Sequence, residues 1–264
     1  MRNLIAIILA LVLLAGIACA ETLRVGMECN YAPFNWTQAE ASDDAVPIVG
    51  GGYADGYDVR IAKLVAQSLG MDLEIVKTEW DGLIPSIMSG AIDCIIAGMS
   101  PTEERMVTID FSDPYYESDL VIVVKADGEY ADAASLADFA GAKITGQLNT
   151  FHYSVIEQIP DVKLQTAMDT FPTMIVALGA GAIDGYVSER PGAESAVATN
   201  PNLTFVAFEE GMGFECDPAD TTIAVGLEKG SKLTAQINEA LADISEEQRV
   251  QIMADALAAQ PSAQ

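Results

Sequence analysis

Residues 91–116 read AIDCIIAGMSPTEERMVTIDFSDPYY, and the architecture of the chain is decided there. The β-branched run Ile92–Ile96 predicts a buried strand. It breaks at Ala97-Gly98-Met99-Ser100-Pro101, presents Thr102-Glu103-Glu104-Arg105 and closes on Phe111-Ser112-Asp113-Pro114-Tyr115-Tyr116. A strand that runs into small residues leaves backbone N–H and C=O groups, with the Ser100 hydroxyl, at the carboxyl edge of a sheet. In open α/β sheets that edge is where ligands bind. Arg105, a few residues on, offers a planar fork that suits a carboxylate. These residues together predict a site for an acid at a strand end.

Outward from this stretch, strand and helix signals alternate, which is the pattern of an α/β fold. Leu23–Met27 reads as a strand, followed by an irregular Ala-, Asp- and Gly-rich region from Thr37 to Gly52 that predicts a loop or hairpin insertion. A helix over Tyr57–Leu69 places Ile61, Leu64, Val65 and Leu69 on one face and stops at Gly70. Leu73–Val76 is a strand and Leu83–Met88 a short helix. Past Tyr116 a second set begins with the strand Leu120–Val124 and a short helix headed by Ser135 and Asp138 in a capping pattern. Strands at Lys143–Thr145, Ile183–Val187 and Leu203–Ala207 alternate with a helix Phe151–Gln158 behind Thr150 and another opened by Thr170 and Pro172. Thr222–Leu227 resumes a strand, and the helices Leu233–Ile244 and Glu246–Ala258 finish the chain, the second behind Ser245 with Gln248 three residues on.

The chain has 264 residues, 50% of them hydrophobic, with 13 basic and 39 acidic residues and a formal charge of −26. Such acidity speaks against nucleic-acid binding, which needs Lys and Arg against phosphate, and against resting on anionic lipid. Arg2, the apolar run from Leu4 to Ala20 and the end Ala18-Cys19-Ala20 describe a secretory signal over residues 1–20. Two outcomes stay open there: cleavage after Ala20 to a soluble form, or lipid attachment at Cys19. Beyond the signal only Cys29, Cys94 and Cys216 remain, without a C-x-x-C pair, and the single His152 lies far from all three. No metal site is expected from that spacing, and no cofactor.

GMSPTEER followed by FSDPYY resembles the solute-binding proteins of bacterial polar amino acid ABC transporters. LRVGMECNYAPFNW, GYDVRIAKLVAQSLG, EWDGLIPSIMSGAIDCIIAGMS and GAIDGYVSERP extend the resemblance, in the family's order, over nearly the whole chain after residue 20. It implies a two-lobe periplasmic binding protein-like α/β fold, each lobe a mixed, mainly parallel sheet flanked by helices, with the ligand cleft between. Residues 21–118 and 209–264 would form lobe 1, and 119–208 lobe 2. The insertion at 37–52 is longer than the family usually carries.

An amino acid ligand needs a cation for its carboxylate, an anion for its ammonium group and walls for its side chain. The resemblance assigns Arg105 and Thr150 to the carboxylate, and Gly98, Ser100 and Glu189 to the ammonium group. Tyr31 and Trp80 are the aromatic walls, with Phe34 a core residue, and Glu28 meets a cationic side chain such as arginine, lysine or ornithine. Glu189 stands where the family usually has Asp, and Asn149 where it commonly has Gly. His152, two residues past Thr150, could approach the cleft, and a structural role is the plainer reading. The implied function is a monomeric extracytoplasmic receptor that closes on a free amino acid by hinge motion and delivers it to a membrane permease, without catalysis. Two alternatives remain open: a neutral polar ligand such as glutamine or histidine, and an enzyme on the same fold, of cyclohexadienyl or arogenate dehydratase type, with Glu189 as acid or base.

Overall fold

Two five-stranded sheets organise residues 20–261, the range that the computed structural model describes. The signal segment and the Cys19 alternative fall on residues 1–19, outside the described range. In the first sheet the spatial order is Asp72–Lys77, Thr22–Met27, Cys94–Ile95, Thr222–Leu227, Asp110–Glu117. In the second it is Lys163–Leu164, Lys143–Thr145, Gly185–Glu189, Leu120–Lys125, Leu203–Val206. Helices pack on both sheets, and the result is the expected two-lobe mixed α/β fold.

Both sheets follow one plan, two parallel pairings and then two antiparallel ones. In each sheet four strands run one way and one, Thr222–Leu227 or Leu120–Lys125, runs against them, so the sheets are mixed and mainly parallel in strand direction, as expected. The reason is topological in the first sheet. Thr222–Leu227 comes back from the second lobe and runs against both of its neighbours, Cys94–Ile95 and Asp110–Glu117. The FSDPYY stretch, read as a closing segment, lies within the strand Asp110–Glu117. Pro114 is tolerated there because the strand is at the sheet edge and its register shifts beside Ala224.

Helix Tyr57–Leu69 has the bounds its periodicity predicts, and Gly70 ends it at φ 68° in the left-handed region that favours glycine. Its buried Val59, Ile61, Ala62 and Val65 share a core with Leu23, Val25, Met27 and Ile75. In the second lobe Ile122, Val124, Phe139, Ile144 and Ile156 form a separate cluster. The buried strand is shorter than Ile92–Ile96: it is Cys94–Ile95, with the Asp93 and Ile96 N–H groups donating to the Arg24 and Gly26 carbonyls on either side. The region 37–52 is a hairpin: Asn35–Gln38, Val46–Pro47 and Tyr53–Asp55 join Asn30–Tyr31 in a small four-stranded sheet. Arg60 and Lys63 of the first helix hold it through Asp44.

This layout gathers strand ends. Glu28 follows Met27, Gly98 and Ser100 follow Ile95, Gln147 to Thr150 follow Thr145, and Glu189 ends its own strand. The parallel strands of both sheets therefore point their carboxyl ends at one cleft, where an open α/β sheet binds its ligand.

Candidate ligand-binding cleft

Arg105 sits in the first turn of the helix Glu103–Thr108, whose N-cap Thr102 accepts from the Arg105 backbone N–H. Its guanidinium is not spent on Glu103 or Glu104: among the described residues it forms no ion pair. Nη1 donates to the Ser100 carbonyl at 2.9 Å, Nη2 to the Asn149 carbonyl at 3.3 Å, and the group lies 5.1 Å over the Trp80 ring. Burial lowers its pKa to about 10, which leaves it charged at neutral pH. An unpaired guanidinium at a cleft wall is a ready partner for a carboxylate.

Gly98 adopts φ +62°, and a Cβ there would stand 3.1 Å from Tyr31 Cε1. Glycine is required twice over, by the backbone and by the approach of the Tyr31 ring. Behind it Tyr115 donates to Asp58 Oδ1 at 2.7 Å, while Asn35 donates to Asp58 Oδ2 at 2.8 Å. This buried network fixes the floor of the first lobe.

The two carboxyls expected at the cleft are both buried, one from each lobe. Glu28 is 3% exposed and Glu189 2% exposed. The Gln147 amide donates to both Glu28 oxygens, at 3.1 and 3.3 Å, and to the Asp169 carbonyl at 3.0 Å. Tyr31 donates its hydroxyl proton to Glu189, and His152 Nε2 lies 2.9 Å from Glu189 Oε1. Neither acid has a Lys or Arg ion-pair partner among the described residues. Burial pushes Glu28 up to about 7 and Glu189 up to about 8. A buried carboxylate without a cation is costly, so at neutral pH Glu189 largely keeps its proton and Glu28 is poised between its two forms; a cation that arrives favours ionisation of both.

Thr150 is at the N-cap of Phe151–Ser154, but its hydroxyl donates to the Gln147 carbonyl at 2.7 Å rather than capping the helix. Asn149 precedes it at φ 54°, a left-handed conformation that Asn tolerates where Gly is common. Its carbonyl accepts from Arg105 and from Trp80 Nε1, and its amide donates to Asp81 at 2.9 Å. One Asn thus joins three residues of the facing lobe.

Tyr31, Trp80, Gly98, Ser100, Arg105, Thr150 and Glu189 line one cavity, together with Gln147, Phe151 and His152. Glu28 is tied to it through Gln147. Sequence reasoning gave no role to Gln147 or Phe171 and noted Asn149 only as a departure from Gly; His152, weighed between a structural role and an approach to the cleft, is in the cavity wall. The end of the strand Lys143–Thr145 was the available signal for Gln147 and Asn149; Phe171 follows the N-cap Thr170 at a helix start. The cavity measures about 10 Å³, roughly the least space that holds one water. Beside it a cleft of about 910 Å³ runs past Trp80, Arg105 and Thr150 toward Asp217 and Asp220. As the lobes stand, the inner cavity is too small for an amino acid.

Comparison with known proteins points the same way as this geometry. Residues 23–256 match the model of the bacterial extracellular solute-binding proteins, family 3. A "Probable histidine-binding protein" of Campylobacter jejuni is 31% identical over 200 residues, which span 74% of this chain and 72% of that one. The ABC transporter arginine-binding protein 1 of Escherichia coli is 28% identical over 244 residues, 91% of this chain and 92% of that one. Among solved structures, an amino acid ABC transporter substrate-binding protein of Streptococcus pneumoniae bound to L-arginine superimposes with a TM-score of 0.75. It is 25% identical, over 90% of this chain and 94% of that one. With two sheets whose strand ends meet at a carboxylate-ready arginine, and a family match over almost all of the described residues, this chain belongs to the family 3 bacterial extracellular solute-binding proteins.

Proposed function

We propose that the protein is an extracytoplasmic receptor for a cationic amino acid, arginine, lysine or ornithine, and that it hands its ligand to the membrane permease of an ABC importer. The observation that carries this reading is a charge count. The cleft has one unpaired guanidinium, Arg105, and two buried carboxyls without a cation, Glu28 and Glu189. A cationic amino acid brings the complement, one carboxylate and two cations. Arg105 and the Thr150 turn take the carboxylate. Glu189, with the Gly98 carbonyl and Ser100, takes the ammonium group. Glu28 takes the side-chain cation, and the Tyr31 and Trp80 rings wall the chain between.

Closure is a hinge motion that the ligand biases by touching both lobes at once. The lobe limits are taken as 21–118 with 209–264, and 119–208, so that the chain crosses twice. The receptor acts as a monomer, exported by its amino-terminal segment. No helix among the described residues is long and apolar enough to cross a membrane.

A thermal-melt screen of the purified protein against the twenty amino acids and ornithine tests this. A ligand at a hundred times its Kd stabilises the folded state by about 2.7 kcal/mol. The expected result is a shift with arginine, lysine or ornithine that is lost in Glu28→Gln. A shift with glutamine or histidine alone contradicts the cationic ligand and leaves the receptor role.

One observation favours a second reading. A buried, protonated Glu189 beside His152 can donate a proton to a substrate, which suits a dehydratase acting on an aromatic amino acid precursor. An aromatic product from prephenate or arogenate, abolished in Glu189→Gln, is the outcome that selects it.

A further inference from the structure

The single histidine of the chain stands in the cleft wall with its side chain 6% exposed. Its Nε2 is 2.9 Å from Glu189 Oε1, yet neither ring nitrogen is satisfied as a ring N–H donor among the described residues. With the ring neutral and Glu189 protonated, the 2.9 Å contact is a hydrogen bond from the carboxyl O–H to Nε2, while Nδ1 has no partner among the described residues. A charged imidazolium is opposed from two sides. The ring packs against Phe151 at 4.5 Å and Phe171 at 6.1 Å, and Arg105 faces it from the other lobe. Burial and the Arg105 charge lower the His152 pKa to about 3. The other groups that face Glu189 are the Tyr31 hydroxyl, a donor to the second carboxyl oxygen, and Arg105 across the cavity. Glu28 is engaged separately by Gln147.

We propose that Glu189 and His152 hold one proton between them in the empty cleft and that the ligand's ammonium group displaces it. His152 is then a positioning residue of the binding site, and ligand uptake is a proton-releasing step. This rests on the amino acid receptor reading above. The balance is simple: the Glu189 O–H bond breaks, its proton passes to the solvent buffer, and the ammonium group keeps its three hydrogens and donates to the carboxylate. Glu189 and His152 both belong to the second lobe, on the strand Gly185–Glu189 and the helix Phe151–Ser154, so the pair survives opening of the cleft.

Two measurements test it. With one histidine, a ¹⁵N-imidazole NMR spectrum of the unliganded full protein reports this ring alone. The expected spectrum shows a neutral ring from pH 5 to 9, with an Nε2 shift that moves as Glu189 titrates and stays still in Glu189→Gln. A ring that charges with a midpoint near the ordinary value of about 6.5 overturns the proposal. Calorimetry with L-arginine at pH 6.5, in buffers of different ionisation enthalpy, then counts protons. Wild type is expected to release about one more proton per arginine than Glu189→Gln, and equal counts overturn it. Absence of heat with arginine contradicts the ligand reading instead, and the NMR result alone then decides the pair.

Discussion

Tyr31 of the first lobe and Phe171 of the second stack face to face across the cleft, with ring centroids 4.1 Å apart and planes 10° from parallel. Tyr31 therefore does two jobs at the closed interface: its face packs on Phe171 and its hydroxyl donates to Glu189. The closed state is held by contacts that cross between lobes in both directions, from Gln147 to Glu28 and from Tyr31 to Glu189.

An aromatic pair of this kind contributes about 0.5–1.5 kcal/mol beyond its buried area. Phe171→Ala is expected to weaken closure and raise the Kd for L-arginine by roughly 2–10-fold, read by calorimetry. An unchanged Kd would show that the stack plays no part in closing.

Arg105→Lys keeps the charge and loses the planar fork. A hydrogen bond to a charged group is worth about 1.5–3 kcal/mol, so affinity should fall roughly 10–100-fold for every amino acid that binds. Glu28→Gln should differ in kind, with a loss confined to ligands with a cationic side chain. Ligand-selective loss in Arg105→Lys would count against its carboxylate role.

Gly98→Ala places a methyl 3.1 Å from Tyr31 Cε1 on a backbone held at φ +62°. The left-handed backbone alone costs about 1–2 kcal/mol for a residue with a Cβ. The displaced ring adds to this, so both the melting temperature and the affinity should drop. A variant with wild-type affinity would mean that Tyr31 has room to move away.

Stability should depend on pH with a definite sign. Glu28 and Glu189 rise from the usual 4.5 to about 7 and about 8 in the folded protein, through burial. Folding then takes up protons, so this contribution is complete below about 4.5 and is lost as pH rises through 7 and 8. The ligand-free protein should melt lower at pH 8.5 than at pH 6, and the double substitution Glu28→Gln, Glu189→Gln should flatten that slope. A melting temperature that rises over this interval contradicts the sign.

Local signals were legible where they are complete in themselves. Gly70 in the left-handed region stops the first helix, and Ser245 with Gln248 forms the capping box of Glu246–Ala259. Gly98, Ser100 and Glu189, assigned through the family resemblance, do line one cavity. What was not legible depends on closure. Gln147 meets Glu28 across 119 residues of sequence, and no local pattern marks that meeting. The position of His152 near Thr150 allowed an approach to the cleft, but only the fold puts its ring beside Glu189. The antiparallel strand of the first sheet follows from a chain return that periodicity does not record.

The central claim is that two buried acids select a ligand with two cations. Calorimetric titration of the protein with L-arginine and with L-glutamine tests it most directly, in wild type and in Glu28→Gln. Arginine should bind at least about tenfold more tightly than glutamine, a difference of about 1.4 kcal/mol, and Glu28→Gln should erase the preference. Glutamine binding as tightly as arginine in wild type, or a preference untouched by Glu28→Gln, would contradict the account.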